Sequence, residues 1–526
     1  MLKNLSDHII KYGKKSYSTL ARQYNTSKSS ICRRFKRITS RADVNGASFF
    51  ETSEGKAWLK QLVVAAVFIF GIVAGIGAER IALFFSLIGI TKFIGTSSGS
   101  VQRIENRIDD EIIKYQKKHD DKIKDVASDI EITPGGDETF FKDQMILVLM
   151  DLDSGFIFTE KAEEKRDHKT WEKNSLPWLS RFKLTRCFLS DKAKAILKLA
   201  KDSLFVKRIP DLFHMMSDTS SVMKFAFHRQ KTSALKKIKE ASKETPYEKQ
   251  HIENKRIIKE QNLQIQTLSI NQMSYKKNHR KLSTSLHPFK ILSVKPQTTS
   301  EAEINMINSL NKIKAIKDKL NISDKGKKLA RVELQIPDAA SQIDMWHGWV
   351  HNSLSSAELT DEMRIWLLNY LLPLVYWQSQ LKKTRSKIIK RFYKLSIKVA
   401  EKNLQSNSLT KLLLEKNKSS KWLNWARQMA NIFHRTTSAI EGRNGWLSQI
   451  HFSGRGLTTK RIQSQTAIHN YYLKRKDGTT ACERLSKLKP TDLFDYIIRN
   501  IGDLPEPRKR KVKRKDNPLI LKAVSA

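Results

Sequence analysis

Only one region of this chain has the alternation of apolar and polar residues typical of β-strands. It starts near Ile130 and continues through the runs EITPGGDETFF, QMILVLMDLDSGFIFTEKAEE and TRCFLSDKAKAIL. Asp151–Gly155 separates two β-rich runs and predicts a hairpin turn. Helices are expected at Trp171–Leu179 and Ala193–Ala200. The pattern therefore predicts one small α/β core.

Most of the remaining sequence is helical in period. Residues 215–435 are rich in Lys and Glu, and a segment with two prolines, LHPFKILSVKPQTT, interrupts them. A helical portion rich in tryptophan follows the prolines and contains Trp346, Trp349, Trp366 and Trp377. Ile440–Ile498 returns to helix and loop. The sequence as a whole predicts an α+β protein that is mainly α.

Residues 1–45 predict a helix-turn-helix. A first helix is expected at Ser16–Tyr24, and a turn leads to Ser27, which could cap a second helix, KSSICRRFKRI. Ile31 and Phe35 would face inward. The basic residues of this second helix would face DNA, and they are Lys28, Arg33, Arg34 and Lys36. A small helical hairpin with a solvated basic face is the alternative.

An apolar stretch without charges, Leu62–Ala78, follows a polar linker. It is shorter than the roughly 20 residues that a bilayer requires, and it contains three glycines. We expect a buried core helix and a soluble protein, with a membrane helix as the alternative. Residues 46–128 predict a second region resembling a helix-turn-helix, because Thr96 or Ser97 could cap a helix with Val101 on its apolar face.

The net charge of the chain is +44, from 97 Lys and Arg against 53 Asp and Glu. Such an excess indicates a polyanionic partner, with nucleic acid first and a membrane surface or ribosome equally compatible with charge alone. The three cysteines form no C-x-x-C pair, which argues against a zinc ribbon or a disulfide scaffold. The N-terminus has no apolar region typical of a secretory signal.

Three acids stand at positions suited to metal chemistry. Asp137 follows a Gly-Gly pair and opens the strand ETFF, Asp191 ends the strand CFLS, and Glu441 follows TTSAI. Three carboxylates can hold two divalent cations, which prefer oxygen ligands. Taken singly, each acid is more often a turn or capping residue. Asp151 and Asp153 compete with Asp137, but they fall in the hairpin turn, where Asp is favoured for local hydrogen bonds.

Several of these segments resemble a known family. GGDETFFKDQMILVLMDLDSGFIFTEKA resembles the opening strands of bacterial DDE transposases, FLSDKAKAI resembles the strand of the second Asp, and PDLFHMM resembles their D-x-x-H signature. SAIEGRNGWLSQIHFSGRGL with IHNYYLKRKDGTTACERL resembles the catalytic-Glu region of large prokaryotic insertion-sequence transposases. The likeness covers most of the chain.

The resemblance implies a ribonuclease-H-like α/β catalytic core at residues 129–224 and 436–500, interrupted by an all-α insertion at 225–435 and followed by a basic tail at 501–526. It implies that Asp137, Asp191 and Glu441 are catalytic and bind two Mg²⁺ or Mn²⁺ ions. His214 of the D-x-x-H motif could support the site by positioning a metal ligand or by contacting a phosphate, and the alternative is a neutral histidine bonded to Asp211 as structural support. Glu441 stands 250 positions after Asp191, and Glu483 competes with it, although Glu483 is more typical of a helix anchor.

The partners that the resemblance implies are the double-stranded DNA of the element ends and of the target. It also implies a homodimer or higher oligomer that resides in the cytoplasm at the nucleoid and binds no membrane. Arg443 and Asn444 are predicted to contact a DNA phosphate. Trp346 and Trp349 are candidates for stacking on a flipped base, although tryptophan at helical spacing is more often core. The alternatives are a catalytically inactive DNA-binding regulator descended from a transposase, a nuclease that cuts without joining, and a basic protein associated with a membrane.

Overall fold

The computed structural model describes residues 16–39, 49–50, 52–142, 144–243, 247–355, 357–410 and 419–507. These residues are mostly helical and contain a small mixed sheet, which confirms the coarse fold class. The chain separates into two compact units, Met1–Val126 with Gly445–Ala526, and Ala127–Asn444. These two units do not coincide with the six segments expected from the sequence. The finer division into six segments stays a prediction.

The strands are β1 Glu131–Ile132, β2 Pro134–Phe141, β3 Gln144–Asp151, β4 Ile157–Glu163, β5 Leu184–Thr185, β6 Phe188–Ser190 and β7 Arg208–Pro210. The helices are α1 Tyr17–Gln23, α2 Lys28–Thr39, α3 Ser53–Ala66, α4 Ala78–Leu87, α5 Ser98–Val126, α6 His168–Leu179, α7 Lys194–Lys198, α8 Leu212–Ala241, α9 Glu248–Thr284, α10 Thr299–Lys319, α11 Lys328–Glu333, α12 Ile336–Ser355, α13 Asp361–Trp366, α14 Leu372–Lys383, α15 Lys387–Ser406, α16 Ser419–Asn431, α17 Ser438–Ile450, α18 Thr459–Tyr471, α19 Ala481–Ser486 and α20 Leu493–Asn500.

Helices α1 and α2 form the small helical pair expected near the N-terminus. Ile31 is fully buried against Leu20 and Ala21. The Ser27 hydroxyl accepts a hydrogen bond from the Ser30 amide at 3.1 Å and so caps α2, as predicted. Asn25 turns the chain between the helices with a φ of +46°, a conformation that Asn tolerates better than most residues. That this pair is a DNA-binding helix-turn-helix stays a prediction.

The apolar stretch of the first unit forms α3 and a π-helical turn, Val67–Val73. Together they give one helix, Ser53–Val73, with the length and composition to cross a membrane, the only such helix among the described residues. In its most apolar window 44% of the residues are buried inside the structure. Val63 and Phe68 are among the buried ones, whereas Ile69 and Phe70 are exposed. This helix is compatible with a soluble protein.

The second unit contains a five-stranded sheet in the order β4-β3-β2-β6-β7. β2, β3 and β4 pair antiparallel, whereas β6 is parallel to both β2 and β7. A Cβ at Gly136 would lie 3.0 Å from the Phe188 ring, so the Gly-Gly pair lets the neighbouring strand pack closely. β1 and β5 form a separate short parallel pair. The predicted hairpin turn lies between β3 and β4.

The helices from α8 to α16 belong to the same unit and share a large hydrophobic core. Trp346, Tyr376, Trp377 and Phe433 lie at its centre. Buried His287 bridges the hydroxyls of Tyr376 and Tyr393, at 2.5 and 2.9 Å from its two ring nitrogens. The tryptophan-rich stretch is therefore mainly a packing feature of this core.

Candidate metal centre

Two of the three predicted acids lie side by side on neighbouring inner strands, one within β2 and the other directly after β6. Gly136 of β2 and Ser190 of β6 are paired in register, and Asp137 and Asp191 are the next residues on these two parallel strands. Equivalent positions on parallel strands point to the same face. Asp191 follows its strand directly, as predicted, whereas Asp137 lies inside β2 rather than at its beginning.

His214 joins the two aspartates from the first turn of α8. Single ligand atoms of Asp137, Asp191 and His214 all lie within 4.8 Å of one another. Asp211 caps α8 by accepting a hydrogen bond from the Phe213 amide at 2.8 Å. Its other oxygen lies 2.9 Å from His214 Nδ1. Because the histidine follows the cap by three residues, cap and ring form one local unit.

Glu441 reaches the same place from the first turn of α17. Its Oε1 lies 4.0 Å from His214 Nε2, and 34% of its side chain is exposed. The Thr437 hydroxyl, at the start of α17, donates a hydrogen bond of 2.5 Å to the buried Asp211 carboxylate. Asp211 thus links the start of α8 to the start of α17, although 226 positions separate Asp211 and Thr437.

Two further contacts hold α17 on the sheet. The Arg443 guanidinium donates two hydrogen bonds, of 2.7 and 2.6 Å, to the Glu160 carboxylate of β4, and both side chains are buried. Asn444 Nδ2 donates to Asp137 Oδ2 at 3.0 Å. One turn of the helix therefore presents Glu441 beside the aspartates, fixes the Asp137 carboxylate and anchors itself in the sheet.

These contacts correct one of the predicted DNA contacts of α17. The Arg443 side chain is only 2% exposed and is paired with Glu160, so it cannot contact a phosphate in this conformation. Asn444 is half-buried and donates to Asp137, and its contact with DNA stays a prediction. The helical period alone does not tell which residues of α17 face inward.

The stacking prediction for Trp346 is also wrong, because this side chain is fully buried and its indole nitrogen donates to the Met429 carbonyl at 2.9 Å. Trp349 is half-buried against the same core, and its stacking role stays a prediction. Lys28, Arg33 and Lys36 are exposed on α2, as a DNA-facing helix requires. The side chain of Arg34 lies outside the described part of the structure.

The acids that competed for the site have other partners. Asp151 accepts hydrogen bonds from the amides of Thr133 and Ser154, at 2.9 and 2.8 Å, and so stabilises the hairpin turn. Asp153 is paired with Arg186 at 2.8 Å and with His434 at 2.7 Å. Glu483 forms a capping box with Thr480 at the start of α19.

The centre has an excess of negative charge in a partly buried place. Burial raises the pKa of Asp137 to about 7, the neighbouring carboxylates of Glu441 and Asp191 add to this rise, and His214 opposes it. The hydrogen bond with Asp211 raises the pKa of His214 to about 9 despite burial, helped by the charges of Asp211, Asp137 and Asp191. In the absence of a metal ion, protons therefore neutralise part of the negative charge that a bound cation would neutralise.

The residues of the centre fit a divalent metal ion. Two carboxylates and one imidazole offer their ligand atoms to a common point, and Glu441 lies next to them. A histidine whose second nitrogen is bonded to a carboxylate, as with His214 and Asp211, has the orientation usual for a metal ligand. Carboxylates suit Mg²⁺ and Mn²⁺, whereas an added imidazole suits transition metals such as Fe²⁺ and Zn²⁺.

Two residues that position the centre without contributing ligand atoms were not predicted from the sequence. Arg208 of β7 donates from Nη2 to the backbone oxygens of Ser190 and Asp191, at 2.8 and 2.5 Å, and so fixes the turn that carries Asp191. Thr437 ties α17 to Asp211. The sequence offered little to find them, since Arg208 is an ordinary basic residue in a very basic chain, and only the position of Thr437 before Glu441 was suggestive.

Comparison with protein families gives one match. Residues 367–513 match a family described as "Family of unknown function (DUF6399)". The match covers less than a third of the chain and includes Glu441, but neither Asp137 nor Asp191. No curated protein matches this chain.

Proposed function

We propose that this chain is a DDE transposase that cleaves and joins DNA strands at the ends of an insertion sequence, with divalent metal ions held by Asp137, Asp191 and Glu441. The observation that carries the proposal is the convergence of these three acids with His214, from two strands and two helices far apart in the sequence. Carboxylates with no functional role are rarely clustered in one partly buried site, because their negative charges repel.

The sheet supports the same proposal. Counted from β2, the strand order is 3-2-1-4-5, with three antiparallel strands followed by two parallel ones. This is the arrangement expected of a ribonuclease-H-like core, in which the first acid lies within the first strand and the second acid at the end of the fourth. Asp137 and Asp191 occupy the corresponding positions.

Bound Mg²⁺ or Mn²⁺ would activate a water or a DNA 3′-hydroxyl and stabilise the leaving oxygen. The tasks of the protein follow from its contacts. Asn444 fixes one oxygen of Asp137, and Asp211 holds His214 with Nε2 towards the acids. The buried pair of Arg443 and Glu160 sets the position of α17, and with it that of Glu441.

The charge of the chain supports DNA as the substrate. A net charge of +44 favours binding to phosphates through the release of condensed counterions. Within the proposal, the partners are the element ends and the target DNA, the protein works as a dimer or higher oligomer, and it resides in the cytoplasm at the nucleoid.

Cleavage of a DNA fragment that carries the flanks of the gene's own locus tests the proposal. We would compare the wild type with Glu441→Gln, in Mg²⁺ or Mn²⁺, and use Glu164→Gln as a control at an exposed acid outside the centre. The proposal predicts nicks at defined ends that disappear only in Glu441→Gln. Nicking by all three would exclude Glu441 as the third acid. Tight binding without nicking by any of them would favour the inactive regulator.

A further inference from the structure

A line of positive charge runs along the exposed face of α15. Lys387, Arg391, Lys394 and Lys398 follow one another at intervals of four, three and four residues, and all four side chains are exposed. This spacing keeps them on one face of a helix, over a length of about 16 Å. Lys402 continues the line by another turn. We call Lys387, Arg391, Lys394 and Lys398 the α15 stripe.

The opposite face of α15 fixes the helix in the core of its unit. Tyr393, Ser396 and Ala400 are buried there. The Tyr393 hydroxyl lies 2.9 Å from His287 Nε2, and the Ser396 hydroxyl accepts a hydrogen bond from the Leu292 amide at 3.0 Å. Because these buried contacts hold the helix, the α15 stripe is presented as a rigid surface.

The charge of this surface is not balanced locally. Residues 382–402 contain nine Lys and Arg and a single acid, Glu401. On other long helices of the same unit, basic side chains pair with acids of their own helix, as Arg256 does with Glu253 and Glu260. Within the described residues, no ion pair joins a member of the α15 stripe to an acid. Among the described residues of its unit, the stripe therefore has no acidic partner.

We propose that the α15 stripe binds the phosphate backbone of duplex DNA. A rigid row of cations about 5 Å apart along a helix complements a regular row of phosphates, and each neutralised phosphate releases counterions. Such contacts position DNA without reading its sequence. The inference rests on the proposed function for the choice of duplex DNA, and it adds a DNA-binding surface to the helical region.

An anionic membrane surface is the competing partner, because three exposed apolar residues, Ile388, Phe392 and Leu395, lie beside the stripe. Helices that lie in a membrane bury their apolar face about 5–10 Å deep in the lipid. The main apolar face of α15 instead packs into the core of the unit through Tyr393 and Ala400. The geometry therefore favours DNA.

The test uses the full chain and a 30-base-pair duplex of arbitrary sequence, in EDTA so that no cleavage occurs. The variant carries Lys387→Ala, Arg391→Ala, Lys394→Ala and Lys398→Ala, all at exposed positions. Binding is measured by fluorescence anisotropy between about 50 and 200 mM salt. Since each phosphate contact contributes about 0.9 to the slope of log affinity against log salt, we expect the loss of four contacts to make the slope shallower by about 3.6, and the affinity at low salt to fall at least about tenfold.

A matched control separates the stripe from general charge. Lys237, Lys249, Lys312 and Lys325 are also exposed but lie on different elements, and their fourfold Ala variant loses the same net charge. We expect this control to change the slope by less than about 1. Equal losses in both variants, or no loss in the stripe variant, would overturn the inference.

Vesicles containing phosphatidylserine test the competing partner. The inference would also be overturned if the stripe variant lost vesicle binding while its DNA binding stayed unchanged.

Failure of the proposed function gives a different result. A stripe-dependent salt slope in a protein that never nicks DNA would leave the DNA-binding surface standing and remove the transposase, whereas nicking with an unchanged slope would remove only the stripe.

Discussion

The second unit contains two Asp–His pairs whose hydrogen-bond distances are alike and whose electrostatic surroundings are opposite. Asp211 lies 2.9 Å from His214, and Asp153 lies 2.7 Å from His434. The bond to Asp211 raises the pKa of His214 to about 9, whereas burial lowers the pKa of His434. The surroundings explain the difference. His214 faces further acids, while His434 is buried close to the cations Lys383 and Arg186.

This difference shows that an Asp–His pair by itself does not indicate a functional site. The pair at Asp153 has its own cation in Arg186, and it joins the β3–β4 turn to the segment that leads into α17. The pair at Asp211 borders the carboxylates of Asp137, Asp191 and Glu441, with the His214 imidazole and the Arg208 guanidinium as neighbouring cations. We therefore assign a structural role to the first pair and a metal-positioning role to the second.

The strongest test of the comparison replaces acids on each side of it. Asp137→Asn and Asp191→Asn should each abolish detectable cleavage while DNA binding persists, because a neutral amide oxygen is a much weaker ligand of a divalent ion than a charged carboxylate. Asp153→Asn should still cleave. Nicking and gel-shift assays on the same DNA fragment measure both properties. A variant of Asp137 or Asp191 that still cleaves would show that this acid is not a ligand.

A second test concerns the carboxylates behind the histidines. Asp211→Asn should weaken Mn²⁺ binding by about 10- to 100-fold, because the hydrogen bond that orients His214 is altered. Asp153→Asn should leave the Mn²⁺ affinity unchanged. Calorimetric titration of the full chain with Mn²⁺ gives both constants. Equal losses in the two variants would mean that the Asp211 pair acts only through stability.

The structural role of the other pair has its own signature. Asp153→Asn should lower the free energy of unfolding by about 2 kcal/mol, because the buried Arg186 charge loses an anionic partner. Urea unfolding followed by circular dichroism measures this change. Asp129→Asn, at an exposed acid of the same unit, is the control and should have little effect. An Asp153→Asn variant as stable as the wild type would contradict the structural role.

The smallest expected effect is a difference in pH dependence. His434 has a lowered pKa in the folded protein, so its contribution to stability is lost as the pH falls below about 6.5, where the unfolded chain takes up the proton. His214 has a raised pKa, so its contribution is complete below about 6.5 and is lost as the pH rises through about 9. Urea unfolding in EDTA of His434→Asn and His214→Asn should deviate from the wild type in opposite pH ranges. Deviations in the same range would contradict the comparison.

Features that depend on neighbouring residues could be predicted from the sequence. The Ser27 cap, the hairpin turn at Asp151 and the strand end at Asp191 each follow from a few adjacent residues. The pairing of Asp211 with His214 is also local, since three residues separate them at the start of a helix.

Features that depend on which helical face is buried could not be predicted. The sequence predicts DNA contacts for Arg443, which follows Glu441, and for Trp346, yet both side chains are buried in the structure. The distance between Asp191 and Glu441 along the chain gave no geometric information, and only the family resemblance placed them together. Tertiary packing decides these positions, and local pattern does not record it.

Anomalous diffraction from crystals of the full chain soaked in Mn²⁺ would locate bound metal. We predict an anomalous peak at the position shared by Asp137, Asp191 and His214, beside Glu441, and no peak at Asp153 and His434. An empty carboxylate centre, or a peak at the Asp153 pair instead, would contradict it.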